Sequence, residues 1–74
     1  MGIGERINAA RTAKGLSVEA LAKMVGVNRS AVHRWEADER TPRIEYIFRL
    51  SVVLDIDVND LVGTRKATRA EIAQ

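Results

Sequence analysis

An all-α bundle of five short helices is the fold this sequence predicts, on three observations. Apolar residues recur every three or four positions along most of the chain. Start and stop signals cut that pattern into helix-sized pieces: Ser17, Asn28, Thr41 and Asp57 precede apolar runs, and Gly15, Gly26 and Gly63 follow them. The 74 residues include no cysteine and one histidine, so neither a disulfide framework nor an all-protein zinc site is expected. A chain of this size buries only ~60% of its unfolded surface. Close helix packing or association has to supply the stability.

The first helix is expected over residues 3–14, with Ile3, Ile7 and Ala10 on one face and Arg6, Asn8 and Thr12 outside. Gly15 then follows Lys14, a glycine just past a terminal base. Ser17 caps the second helix, with Glu19 near the positive end of its dipole. Leu21, Met24 and Val25 form that helix's apolar face, and the small Ala20 lets a neighbour approach. Gly26 makes the turn, because it takes positive φ without a steric penalty. Asn28 caps the third helix, which runs to Trp35 or Glu36 with Ala31, Val32 and Trp35 inward. A polar loop over 37–40 leads to Thr41 as cap and Pro42 as first residue of the fourth helix. Ile44, Ile47, Phe48, Leu50 and Leu54 give that helix its apolar face. Asp57 caps a short fifth helix carrying Val58, Leu61 and Val62, which Gly63 ends. The chain thus divides into a domain over 1–63 and a basic tail over 64–74, read as a frayed helix or a flexible extension.

The net charge of +2 does not by itself imply nucleic acid, and its distribution says more. Residues 1–15 carry Arg6, Arg11 and Lys14 against Glu5, and 28–43 carry Arg29, Arg34, Arg40 and Arg43 against Glu36, Asp38 and Glu39. Residues 44–62 reverse the balance, with Glu45, Asp55, Asp57 and Asp60 against Arg49. In the tail Arg65, Lys66 and Arg69 face Glu71. A polyanion would favour one orientation of such a molecule.

The stretch from Ser17 to Glu36, SVEALAKMVGVNRSAVHRWE, reads as two short amphipathic helices joined at Gly26. Arg29, Ser30, His33 and Arg34 lie on the face of the second helix opposite Val32 and Trp35. This is the layout of a helix-turn-helix, whose second helix enters the DNA major groove. With IGERINAAR before it and TPRIEYIFRLSVVLDIDVNDL after it, the chain resembles the lambda-repressor-like (Xre/Cro-type) helix-turn-helix family over residues 3–62. The resemblance implies a compact five-helix DNA-binding domain with the helix-turn-helix at helices 2 and 3. It also implies operator-type double-stranded DNA as partner, a homodimer on a two-fold-related site, and the role of a bacterial or phage transcriptional regulator, as a repressor.

The resemblance carries roles to particular residues. Arg29, Ser30 and Arg34 stand where base edges are met, with His33 counted beside them as a base contact or a groove-edge or solvent residue, and an arginine can donate two hydrogen bonds to one guanine. Ser17 and Asn28 are helix caps whose neighbouring backbone N–H groups also suit phosphate. Arg40 and Arg43 flank the fourth helix, where they either grip the DNA backbone or balance Asp38, Glu39 and Glu45. Arg11 and Glu36 match an ion pair that orients the recognition helix. The region joining the fourth and fifth helices often dimerises, which marks Ile56, Val58 and Val62 as interface candidates. Three positions depart from the family pattern. Val18 stands where a phosphate-binding Gln is common, and it either packs on sugar or a thymine methyl or contacts nothing. Asp55 replaces a frequent Gly. Asp38 and Glu39 add negative charge near the expected backbone path.

An alternative reading is a helix-turn-helix that serves as a protein-interaction module, such as an antitoxin or a bridging factor. An enzyme is not expected: there is no Gly-rich phosphate loop and no nucleophile motif. No cofactor, metal or small-molecule ligand is expected, nor a membrane span. The expected location is cytoplasmic.

Overall fold

The computed structural model describes residues 2–63, which form five helices and no strand. They are α1 (Ile3–Ala13), α2 (Val18–Val25), α3 (Arg29–Glu36), α4 (Ile44–Leu54) and α5 (Val58–Val62). The proposed tail, 64–74, lies outside the described residues. Helix α1 packs on α3 and α5, α2 packs on α3 and α4, and α4 closes on α5. At the centre Ile7, Leu21, Val25, Val32, Leu50 and Leu61 are fully buried, with Trp35 and Leu54 nearly so. Each such aliphatic side chain contributes roughly 1.5–3 kcal/mol relative to exposure.

The loops are built from caps. Gly15 adopts φ +71°, and the Leu16 N–H reaches back to the Arg11 carbonyl at 3.1 Å while the Gly15 N–H reaches Thr12 at 2.9 Å. This left-handed closure ends α1 and reverses the chain toward α2. Ser17 Oγ accepts the Ala20 N–H at 3.0 Å, and Asn28 Oδ1 accepts the Ala31 N–H at 3.0 Å. Leu16 and Val27, each directly before a cap, pack against the core that also contains Leu21 and Val32. That placement matches a hydrophobic staple at the start of both helices.

The start of α4 differs from the sequence expectation. Arg43, not Thr41, holds the cap position, and Pro42 is buried in an extended lead-in. The side chain of Pro42 contributes more as core than as the first residue of a helix. Three apolar positions also differ. Met24, Ile44 and Phe48 fit an inward stripe in sequence but are more than half exposed. Val52 is 79% exposed, so Ile44, Phe48 and Val52 run four apart down the outer side of α4. The inner side is already filled by Ile47, Leu50 and Leu54, and an eleven-residue helix has one core-facing stripe.

Two close fits determine how α1 sits. Gly4 is buried under the end of α3, and a Cβ there would lie 2.5 Å from the Trp35 carbonyl oxygen and 2.6 Å from that of Glu36. Asp38 adopts φ +59°, and its Oδ1 accepts the Gly4 N–H at 3.0 Å. Its carboxylate thereby caps α1 at the positive end of the helix dipole, which the side-chain-free cap residue Gly2 cannot do. Gly4→Ala should destabilise the fold by about 1–3 kcal/mol through overpacking against backbone that cannot yield. Denaturant unfolding measures this, and an unchanged midpoint would refute the close approach. Asp55 holds the left-handed cap of α4 at φ +55°. Asp55→Gly should raise stability by about 1 kcal/mol by removing the Cβ penalty of that conformation.

Candidate nucleic-acid interface

One side of the domain gathers most of the polar residues singled out in the sequence. On α3, Val32 and Trp35 point into the core, and Arg29, Ser30, His33 and Arg34 are exposed. Their side chains cover the outer face of the helix. Arg29 is lightly engaged: its Nη1 lies 3.4 Å from Glu19 Oε2, both side chains being well exposed. Such a surface pair is worth at most ~1 kcal/mol and yields to a better acceptor.

The two capped starts, at Ser17 and Asn28, turn backbone N–H groups outward on either side of the Gly26 turn. Gly26 takes φ +90°, and the Val27 N–H returns to the Ala22 carbonyl at 2.9 Å, so the turn is tight. Between the start of α3 and the start of α4 lies an open cleft. Its walls include Asn28, Ala31, Trp35, Arg40, Arg43 and Tyr46. Arg40 and Arg43 bring two guanidinium groups to the rim, beside the Asn28 cap. An anion seated there meets positive charge and a helix N-terminus together.

The end of α3 is held from behind. Arg11 donates from Nε to Glu36 Oε2 at 2.7 Å and from Nη2 to Oε1 at 3.2 Å. Its Nη1 donates to the Leu16 carbonyl at 2.8 Å. Asn8 Nδ2 adds a bond to Glu36 Oε1 at 2.9 Å. The two charged side chains are only 13% and 11% exposed, so this is a fork-to-carboxylate pair shielded from water. The hydrogen bond from Glu36, and secondarily its charge, hold the Arg11 pKa above its ordinary value against the opposing effect of burial. A raised cation pKa means that the stabilising charge is complete below the group's ordinary value and is lost only at still higher pH. Arg11 therefore stays charged throughout the pH range of ordinary use.

Other singled-out residues take different positions. Val18 is half-buried and packs against the core. Asp38, read in sequence as charge near a phosphate path, is spent on capping α1. Ile56, Val58 and Val62 are half-buried and pack against the core. Two residues escaped the sequence reading: Tyr46, a wall of the cleft, and Arg49 above it, with the Arg49 Cζ 5.4 Å from the Tyr46 ring centroid. Their spacing of three along α4 was the available signal.

With this geometry in place, comparison with known proteins identifies the class. The helix-turn-helix family profile matches residues 7–61. The chain belongs to the helix-turn-helix family of lambda-repressor-like type. It is similar to the transcriptional regulator SinR of Bacillus subtilis, 36% identical over 67 residues that cover 89% of this chain and 60% of SinR. It is also similar to repressor protein C2 of Salmonella phage P22, 42% identical over 52 residues, covering 70% of this chain and 24% of that one. This chain therefore spans only part of the length of these relatives. Among solved structures, the P22 c2 repressor in complex with a synthetic operator superimposes with a TM-score of 0.81 at 37% identity, over 84% of this chain and 94% of that one. SinR in complex with DNA gives a TM-score of 0.75 at 38% identity, over 80% and 95%.

Removing one partner of the shielded pair should be costly. Glu36→Ala leaves Arg11 uncompensated and should lower stability by roughly 3 kcal/mol. Glu36→Gln should recover part of this by keeping an acceptor. Equal midpoints for Glu36→Ala and the parent in urea would show that the pair contributes no more than a surface contact.

Proposed function

We propose that this protein is a sequence-specific double-stranded-DNA-binding transcriptional regulator that acts as a dimer on an inverted-repeat operator. The observation that carries the reading is the outer face of α3. Four polar side chains are exposed there, between two capped helix starts and a rim of two arginines. An α-helix fits the major groove of B-DNA, and Arg29 and Arg34 are long enough and suitably forked to read guanine edges. Ser17, Asn28, Arg40 and Arg43 hold phosphates, which set register without reading sequence. The P22 and SinR relatives seen with DNA support the same reading.

The dimer we infer presents two copies of α3 to successive major grooves, about 34 Å apart. The exposed halves of Ile56, Val58 and Val62 at the α4–α5 end form its contact. The acids Asp55, Asp57 and Asp60 keep that end away from phosphate. Occupancy of the operator then blocks transcription, so the sign of regulation is repression. The domain responsible comprises residues 1–63.

A protein-interaction role has one observation in its favour. Met24, Phe48 and Val52 leave an apolar groove between α2 and α4, and SinR is also known in complex with the protein SinI. Selection from a random duplex pool, followed by anisotropy titration of the winner and a scramble at two salt concentrations, separates the two roles. An enriched inverted repeat, bound much more tightly than the scramble, establishes the operator reader. No enrichment, with weak and salt-sensitive binding to both, overturns the operator reader and favours the interaction module, whose own signature is tight co-purification with another protein. Arg29→Ala should lose about 1–3 kcal/mol of discrimination at one position of each half-site. Arg43→Ala should weaken binding to all sequences alike and reduce the salt slope by about 1. Sequence-blind losses in both variants would refute this division of roles.

A further inference from the structure

The geometry points to Arg49 as a positioning residue for base reading: it locks the angle between α2 and α3 while touching no DNA itself. This inference rests on the operator-reading function proposed above. Arg49 lies on α4, yet its Nη1 donates to the Val25 carbonyl, the last of α2, at 3.1 Å. That carbonyl belongs to a helix end whose final C=O groups lack intrahelical partners. A guanidinium there also answers the negative end of the α2 dipole. The same nitrogen lies 3.3 Å from the point that a Cβ on Gly26 would occupy, so the group sits directly over the helix-turn-helix turn.

The other face of the group is also engaged. The Arg49 Cζ stands 5.4 Å from the centroid of the Tyr46 ring, within cation–π range. The Tyr46 ring in turn meets the Trp35 ring of α3, with centroids 5.8 Å apart and planes tilted by 40°. A tilted aromatic pair of this kind is directional. Arg49 and Tyr46 therefore join the end of α2 to the buried anchor of α3 through α4. A helix that reads bases must hold its donors within about 0.5 Å and 10–20° of the productive geometry. Helix α3 has only eight residues, and its orientation depends on what grips Trp35 at one end and the turn at the other. Arg49 is not among the walls of the cleft at Arg40 and Arg43; it borders the apolar groove of Met24, Phe48 and Val52 instead. A lysine would retain the charge but not the planar group that serves the carbonyl and the ring together.

The test uses the full chain, with Arg49→Met, which keeps an apolar stem, and Arg49→Lys. Each is titrated against the selected operator and a scrambled duplex at several salt concentrations, and amide exchange is followed at Gly26 and Val27. Arg49→Met should lose about tenfold in operator affinity, comparable to one base contact. Its affinity for the scramble and its salt slope should stay at the parent values, and the Gly26 and Val27 amides should exchange faster. Arg49→Lys should fall between Met and the parent. A loss shared equally by both duplexes, with the slope reduced by about 1, would make Arg49 a phosphate contact and overturn the proposal. Unchanged operator preference would also overturn it. If the parent protein itself shows no operator preference, the function proposed above fails. Exchange at Gly26 and Val27 then decides the tether alone: acceleration in Arg49→Met upholds it, and parent rates overturn it.

Discussion

The shielded pair between Arg11 and Glu36 is the interaction on which the rest of this domain depends. It joins the last turn of α1 to the last residue of α3, and through the Leu16 carbonyl it also holds the loop that leads into α2. One guanidinium thus serves three segments. The pair lies behind the recognition helix, so it spends no donor that the outer face needs. The pair is partly buried and its partners are satisfied; no buried side-chain polar atom among the described residues lacks a partner. A half-made version would be worse than an apolar contact.

Around that pair the structure uses small residues and caps where a larger domain would use more core. Gly4 lets α1 lie against the carbonyl end of α3, and Asp38 closes the contact by capping α1 from the next loop. The acid that looked like a liability for anion binding is therefore used as a cap at the positive end of a helix dipole. The capped starts of α2 and α3 serve twice in the same way. Ser17 and Asn28 satisfy one N–H each inside the fold, and their helices still offer positive ends to solvent. Stability and recognition draw on the same backbone groups.

The recognition helix is short, and its orientation comes from neighbours more than from its own turns. An isolated helix of eight residues is not stable in water. Val32 and Trp35 embed its inner face, Glu36 is clamped to α1, and Trp35 meets the Tyr46 ring of α4. The outer residues can then be chosen for what they bind, because they contribute almost nothing to holding the helix. The same division explains the exposed apolar row on α4. Ile44, Phe48 and Val52 are not needed for the core, which Ile47, Leu50 and Leu54 already complete.

Much of this was legible in the sequence, for a local reason. Caps and left-handed glycines act within one turn of themselves, so Ser17, Asn28, Asp57, Gly15, Gly26 and Gly63 mark helix ends in the chain as they do in space. Helical spacing alone separates Val32 and Trp35 from Arg29 and Arg34. The tertiary structure decided whatever depends on two segments meeting. Which of two apolar stripes on α4 turns inward depended on the space left by α2 and α5, and spacing along one helix cannot choose between them. Whether Asp38 faces solvent or α1, whether Pro42 begins a helix or fills the core, and whether Arg49 reaches the end of α2 are likewise contacts between residues distant in sequence. Periodicity records one helix at a time, and packing records how they meet.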